Sequence, residues 1–301
     1  MTMTRRTLVA GLAAAGALSG IVAPSLGRTA SGSSRFKAVA FDGFPIIDPR
    51  PVAELAERLF PGKGADLSNS WRTRQFEYCW LRTLSDRYAD FRQVSQEALV
   101  FAAKSLGLEL TPSTRDQLVN AYRELSAWPD VLPALESLKA AGVRMTFLSN
   151  LTAEMLDAAI ENSGLNGYFE APLTTDRVRA FKPDPRAYRM ALTAFDCTRE
   201  EIAFVASAGW DVAGAKWFGY PTFWVNRTEL PAEELGIGAD AQGRGMSDLV
   251  PFVLGSATKP VMIGPVPPTN TRDANLVATL NQRHTWRKPC PYPIARAGAV
   301  P

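Results

Sequence analysis

The sequence predicts an α/β fold, a doubly wound parallel sheet with an inserted block of four helices. A short apolar run over residues 36–41 has the composition of a buried strand and ends at Asp42. Helical patterns without strands follow as far as residue 125. From Asp130 onward, helical patterns alternate with short apolar runs, which implies right-handed crossovers within one parallel sheet.

The individual elements follow from hydrophobic periodicity, taken in chain order. The helical block is predicted to contain helices over 52–60, 68–88, 93–106 and 113–125. Beyond it, helices are predicted over 130–141, 153–163, 185–195 and 211–218. Strands are predicted over 143–149, weakly near Ala171, and over 202–206 and 221–225.

These elements divide the chain into a core, an insertion and two ends. Residues 35–50 and 128–254 are predicted to form the core, and residues 51–127 a helical cap inserted after the first strand. Residues 1–34 are expected to be an export signal and linker. Residues 255–301 are expected to form an extended tail, because the last 51 residues hold nine of the 22 prolines.

The N-terminus resembles a twin-arginine export signal. Arg5 and Arg6 precede an apolar run over residues 8–23 that is short for a membrane span. Periplasmic location, with the twin-arginine translocon as export partner, is therefore predicted. The alternative is an uncleaved anchor, because no clean cleavage site appears before Arg35.

Composition excludes several function classes. The net charge is +3, but both chain ends are basic, and residues 28–250 carry a net charge of −4. A negatively charged region of this kind is a poor surface for binding nucleic acid, because phosphate groups require a basic face. One histidine and three cysteines disfavour a His/Cys zinc site, a Ser-His-Asp triad and a disulfide framework.

Polar side chains are predicted at the carboxyl ends of the strands, where open parallel sheets bind ligands. They are Asp42 after the first strand, the pair Ser149 and Asn150 after the second, Lys182 in a loop, and Asp211 beyond the 202–206 strand. Two carboxylates, a lysine and a Ser-Asn pair are expected to converge in one crevice.

This order of groups resembles the haloacid dehalogenase superfamily over residues 36–254. The sequences Trp71–Arg82, Phe181–Tyr188, Gly209–Ala215 and Phe218–Arg227 resemble its type II L-2-haloacid dehalogenases. The resemblance implies a core of that family with a helical cap. It also implies that Asp42 is a nucleophile that forms an ester, which water then hydrolyses.

Phosphatases of the same superfamily carry a second aspartate two residues after the nucleophile, where this chain has Phe44. Asp211 has no acidic neighbour, so the carboxylates are too few for a good Mg²⁺ site. Displacement at carbon, without a metal or other cofactor, fits better than phosphoryl transfer.

The resemblance implies roles for the remaining residues. Arg72 matches the cap arginine that receives the departing anion, with Asn150 and Phe91 as its companions. Lys182 matches the lysine that keeps the nucleophile ionised. The other implied positions are the substrate-carboxylate site (Ser149 with the backbone near Gly43 and Phe44), the supporting network (Tyr188 and Asp211) and the apolar wall (Phe76 and Trp210).

The sequence departs from the dehalogenase pattern at both ends of the site. The first motif is one residue short, lacks the threonine that bonds the nucleophile, and contains Pro45. Ala206 and Ala208 replace the serine and the asparagine of the fourth motif, the asparagine being associated with the hydrolytic water. A more apolar pocket and a less supported nucleophile are expected.

Three functions remain open from the sequence. The first is a metal-independent hydrolase of small 2-substituted carboxylic acids, nominally an (S)-2-haloacid dehalogenase. The second is a hydrolase like the azetidine-2-carboxylate hydrolases, which open a ring at a carbon–nitrogen bond. The third is a binding protein that keeps the fold without the catalysis. The family resemblance also implies a homodimer.

Overall fold

The computed structural model describes residues 34–255, and their centre is a six-stranded sheet. The strands are β1 (Ala38–Phe41), β2 (Arg144–Ser149), β3 (Leu173–Thr174), β4 (Ile202–Ala206), β5 (Thr222–Val225) and β6 (Ala241–Gly243). Their order across the sheet is β3-β2-β1-β4-β5-β6, and every neighbouring pair is parallel. The predicted doubly wound parallel sheet is confirmed.

These residues also contain ten α-helices. They are α1 (Gly43–Ile46), α2 (Arg50–Leu59), α3 (Gly64–Leu84), α4 (Phe91–Ser105), α5 (Pro112–Asn120), α6 (Val131–Ala140), α7 (Ala153–Asn162), α8 (Pro185–Phe195), α9 (Gly209–Phe218) and α10 (Met246–Leu254). No strand lies between α2 and α5, as the inserted helical block requires. The exact cap boundaries at residues 51 and 127 remain a prediction.

The strands are continuously apolar because helices cover both faces of the sheet. Every residue of β1 and of β4 is buried. Alternate residues of β1 join two separate apolar clusters, with Val39 and Phe41 in one and Ala38 and Ala40 in the other. The same alternation places consecutive β4 residues on opposite faces of the sheet. Each strand therefore contributes apolar side chains to the helices packed on both faces.

Side-chain caps explain where several helices begin. Asp90 accepts a hydrogen bond from the Gln93 amide at 2.8 Å at the start of α4. Thr152 caps α7 in the same way, and Asp184 caps α8, whose first residue is Pro185. These caps lie close to the predicted helix starts at residues 93, 153 and 185.

The helical block is held together by a buried polar network as well as by apolar packing. The Trp71 indole donates to the Ser95 carbonyl oxygen at 2.8 Å. Gln75 Nε2 donates to Ser95 Oγ at 2.8 Å and contacts Tyr122 Oη at 3.1 Å. These hydrogen bonds between buried groups fix α3 and α4 in one relative position.

Two elements at the sheet edge were absent from the sequence prediction. Strand β6 has the composition Ala-Gln-Gly, without apolar alternation, and helix α10 contains Pro251. The weak strand predicted near Ala171 is the two-residue β3, and α1 follows Asp42 directly.

None of the helices within residues 34–255 combines the length and apolarity needed to cross a bilayer. The predicted export signal, the apolar run over residues 8–23 and the tail from residue 256 lie outside the described residues.

Candidate active site

The centre of the site is a lysine shared by two carboxylates. Asp42 directly follows β1, and its amide donates to the Val205 carbonyl oxygen of β4 at 2.8 Å. Lys182 Nζ donates to Asp42 Oδ1 at 2.7 Å and to Asp211 Oδ2 at 2.5 Å. The convergence predicted from strand ends is therefore present for these three residues.

Burial and pairing determine the charge of this centre. Lys182 and Asp211 are fully buried, and Asp42 is 8% exposed. Burial opposes the charged form of Lys182, but the two carboxylates outweigh it and raise the Lys182 pKa above its ordinary value. Burial raises the pKa of Asp211 to about 6, although the charge of Lys182 opposes this effect. The lysine is therefore a fixed cation over a wide pH range.

Tyr188 completes the support behind the two carboxylates. Its hydroxyl donates to Asp211 Oδ1 at 2.6 Å, and burial raises the pKa of Tyr188 well above its ordinary value. The close approach depends on Gly214, since a Cβ at that position would lie 2.5 Å from the Tyr188 hydroxyl. Gly214 was not among the predicted site residues. Its signal was a glycine within the predicted 211–218 helix, where glycine is unfavourable.

Replacing Tyr188 with phenylalanine should destabilise the fold by about 1.5–3 kcal/mol, since a buried hydrogen bond to a charged group is lost. It should also raise the Asp211 pKa, because the hydroxyl favours the ionised carboxylate. Urea unfolding measures the first effect. The matched control is Tyr220→Phe, which loses a 2.6 Å hydrogen bond to the Tyr188 carbonyl oxygen but leaves Asp211 untouched. A Tyr188→Phe variant as stable as the wild type would contradict the hydrogen bond between Tyr188 and Asp211.

The second strand end supplies Ser149 and Asn150. Asn150 Oδ1 accepts a hydrogen bond from the Lys182 amide at 3.0 Å, which fixes the loop carrying the lysine. Ser149 Oγ accepts one from the Leu151 amide at 3.1 Å. A Cβ on Gly43 would lie 3.2 Å from Ser149 Oγ and 2.8 Å from Leu151 Cδ1, so a larger residue here would have to displace these side chains.

A small cavity, called here the inner pocket, lies beside Asp42. Its free volume is about 10 Å³, the space of roughly one water molecule. The lining residues are Asp42, Phe44, Arg72, Phe76, Phe91, Ser149, Asn150, Leu151, Ala208 and Trp210. Eight of the twelve predicted site residues thus line one pocket. Lys182, Asp211 and Tyr188 lie behind Asp42, and Gly43 lies beneath Ser149.

Aromatic rings and one arginine form the side of the inner pocket that faces the helical block. The Phe76 ring lies 5.0 Å from that of Trp210, and Arg72 Cζ lies 6.0 Å from the Phe76 centroid. Arg72 is exposed and forms no ion pair within residues 34–255. Its guanidinium is therefore more hydrated than the guanidinium of a partly desolvated anion site would be.

The nucleophile position is supported differently from the dehalogenase pattern. Asp42 Oδ2 receives the Phe44 amide at 3.4 Å, in addition to the bond between Oδ1 and Lys182. Ala208 presents only a methyl group to the inner pocket. This geometry agrees with the expectation of a more apolar pocket.

The donor set does not suit a divalent metal ion. Within the described part of the chain, no group of three His, Cys, Asp or Glu side chains is placed to hold one. Between Asp42 and Asp211 lies the Lys182 ammonium, whose charge would repel a second cation. Cys79 and Cys197 are free thiols, and Cys290 and His284 lie outside residues 34–255.

Comparison with known proteins identifies relatives of this chain. The family model "haloacid dehalogenase-like hydrolase" matches residues 17–219. The (S)-2-haloacid dehalogenase of Pseudomonas sp. (strain YL) is 40% identical over 201 residues, 66% of this chain and 87% of that protein. The (S)-2-haloacid dehalogenase 4A of Burkholderia cepacia is 42% identical over 224 residues, 74% of this chain and 97% of that protein.

A solved structure gives the same result for the fold. It is the L-2-haloacid dehalogenase from Xanthobacter autotrophicus with chloropropionic acid covalently bound. Its TM-score is 0.68 at 34% sequence identity, and the alignment covers 74% of this chain and 100% of that one.

Proposed function

The chain belongs to the haloacid dehalogenase-like hydrolases, and on that premise we propose that it is a metal-independent (S)-2-haloacid dehalogenase. Its substrates are small 2-substituted carboxylic acids. The observation that carries this proposal is the Lys182 ammonium shared by Asp42 and Asp211 beside a pocket lined by Arg72 and aromatic rings. The relatives named as haloacid dehalogenases support this function over ring opening at carbon–nitrogen and over a binding protein without catalysis.

In the first step, an Asp42 carboxylate oxygen attacks C2 of the substrate. A carbon–oxygen bond forms, the carbon–halogen bond breaks, and the halide leaves with the bonding electron pair. Lys182 orients Asp42, because its ammonium donates to Oδ1 while Oδ2 receives the Phe44 amide. The covalently bound chloropropionic acid in the Xanthobacter structure is consistent with such an intermediate in that protein.

In the second step, water attacks the carboxyl carbon of the Asp42 ester. This releases the 2-hydroxy acid and regenerates the Asp42 carboxylate. One proton of the water ends on the alcohol oxygen of the 2-hydroxy acid, and the other is released to solvent. Asp211 supports this step through the Lys182 ammonium that it shares with Asp42. Its own orientation comes from the hydrogen bond that Tyr188 donates.

The remaining pocket residues bind the substrate. The Gly43–Phe44 backbone and Ser149 receive the substrate carboxylate, and Phe76 and Trp210 contact its alkyl part. Arg72, with Asn150 and Phe91, receives the halide. A guanidinium suits this task because it stays charged at every working pH.

Halide release tests the proposal. Wild-type protein lacking residues 1–34 should release chloride from (S)-2-chloropropionate in the presence of a chelator. A magnesium-dependent phosphate-ester activity in place of chloride release would contradict it. So would folded protein that releases no chloride.

The steady-state rate should rise with pH through about 6. Below that pH Asp211 is protonated and no longer pairs as a carboxylate with Lys182, whereas above it the ionised carboxylate holds the ammonium beside Asp42. No loss is expected on the alkaline side below pH 10.5, since the Lys182 pKa is raised above that ordinary value. A pH profile of kcat measures the acid limb and shows whether the rate falls at alkaline pH. Tyr188→Phe should move the acid limb to higher pH. An acid limb near 4 would show that Asp211 is not the group involved.

We also propose that the protein is exported to the periplasm through the twin-arginine translocon and forms a homodimer. The paired Arg5 and Arg6 before an apolar run support the export. Cell fractionation of the wild type and an Arg5→Lys, Arg6→Lys variant tests the export, and equal periplasmic amounts of the two proteins would contradict it.

Sedimentation of the purified protein tests the homodimer. A monomer at all concentrations would overturn that proposal.

A further inference from the structure

A second cavity, called here the outer chamber, adjoins the inner pocket. Its volume is about 310 Å³, compared with about 10 Å³ beside Asp42. Four residues line both spaces: Phe44, Arg72, Phe76 and Phe91. These four side chains therefore form the partition between the nucleophile and the outer chamber.

The inner pocket is too small for any 2-haloacid as it stands. In the reactive position, C2 of the substrate lies within reach of Asp42, and the substrate carboxylate lies on the Phe44 side. The substituent on C2 then needs space outside the inner pocket. The space next to the inner pocket is the outer chamber, beyond the partition. A cavity of about 150 Å³ suffices for benzene in another protein, so 310 Å³ is ample for an aryl ring.

The walls of the outer chamber favour an aromatic occupant. Six aromatic side chains line it, namely Phe44, Trp71, Phe76, Phe91, Tyr122 and Trp128. Aromatic rings that contact one another are attracted beyond what their buried area provides.

Of the three guanidinium groups that line the outer chamber, two are paired with carboxylates. Arg50 pairs with Asp48, and Arg227 pairs with Asp130, so both guanidinium groups are already neutralised. Each also lies 4.5 Å from the Trp128 ring centroid. Arg72 lies at the partition instead, where an anion leaving Asp42 would meet it.

The partition is anchored to the core at the residues after the nucleophile. The Trp128 indole donates to the Phe44 carbonyl oxygen at 3.1 Å, and Arg227 donates to the Pro45 carbonyl oxygen at 3.2 Å. The Phe44 backbone is thus held in place, and its half-buried side chain lines both spaces.

We propose that the outer chamber is the binding site for the C2 substituent, and that the preferred substrates are 2-halo carboxylates bearing an aryl or similarly bulky apolar group. This inference rests on the proposed dehalogenase function and specifies its substrate class. The chemistry is unchanged: Asp42 displaces halide at C2, and water then releases the 2-hydroxy acid.

The test compares kcat/KM for (S)-2-chloro-3-phenylpropionate with kcat/KM for (S)-2-chloropropionate. The wild type should prefer the aryl substrate. Ala53→Trp places a large side chain in the outer chamber from the exposed face of α2, away from the inner pocket. It should lower this ratio about tenfold or more, the scale of discrimination that pocket shape achieves. Activity on chloropropionate should change little.

The matched control is Ala65→Trp, because Ala65 is also exposed on a helix but does not line the chamber. Asn69→Trp, which enters the chamber from α3, repeats the test should Ala53→Trp fold poorly. A wild type that dehalogenates chloropropionate but not the aryl acid would overturn the inference alone. An unchanged ratio in both chamber variants, or an equal fall in Ala65→Trp, would do the same. No halide from either substrate would overturn the proposed function as well.

Discussion

Asp42→Asn should abolish halide release, with a fall in kcat on the order of 10⁴–10⁶-fold, the scale seen when a covalent nucleophile is removed. The amide keeps the shape of the side chain but cannot displace a halide as a carboxylate does. Halide release and the mass of the protein after incubation with substrate measure the effect. We expect neither chloride nor an ester.

A structural control separates loss of chemistry from loss of fold. Asp42→Asn removes one of the two carboxylates on Lys182 but leaves the pair with Asp211, so the protein should still unfold cooperatively. Asp48→Asn is a suitable comparison, because Asp48 also follows β1 but pairs with Arg50 outside the site. Near wild-type turnover in Asp42→Asn would exclude Asp42 as the nucleophile.

Lys182→Met should lower both activity and stability. Removing the ammonium leaves two buried carboxylates without their shared cation, and breaking such a buried pair costs about 3–5 kcal/mol. The Asp211 pKa should rise further, since the charge of Lys182 holds it down. Urea unfolding at neutral pH measures the loss, and halide release should fall with it.

The double variant Lys182→Met, Asp211→Asn distinguishes the two effects. Because it removes one of the uncompensated charges, it should recover part of the lost stability without recovering turnover. A Lys182→Met protein as stable as the wild type would contradict the shared-lysine geometry. Recovery of turnover in the double variant would show that Lys182 acts through stability alone.

Much of the core could be predicted because its signals are local. The apolar run before Asp42 and the alternation after Asp130 follow directly from burial on both faces of a parallel sheet. Strand β4 and helix α8 begin and end at the predicted residues, since their ends carry a turn or a cap. Strand β6 and helix α10 were missed because tertiary contacts, and not composition, determine them.

The candidate site could also be predicted only in part. The strand-end positions of Asp42 and Ser149, and that of Asp211 in the first turn of the helix after β4, follow from the topology of a parallel sheet. The exposure of Arg72 depends on how α3 lies against the core, which its own sequence does not reveal. The outer chamber is lined by separated segments, including α2, α3 and the residues after β5, and none of them carries a motif for it.

The central claim is that Asp42 becomes covalently linked to the substrate. Protein quenched in acid during turnover of (S)-2-chloropropionate, digested and analysed by mass spectrometry tests it most directly. The account predicts a carboxyethyl adduct on the peptide that contains Asp42, and its disappearance when substrate is exhausted. Chloride release without any adduct, or with an adduct on another residue, would contradict it.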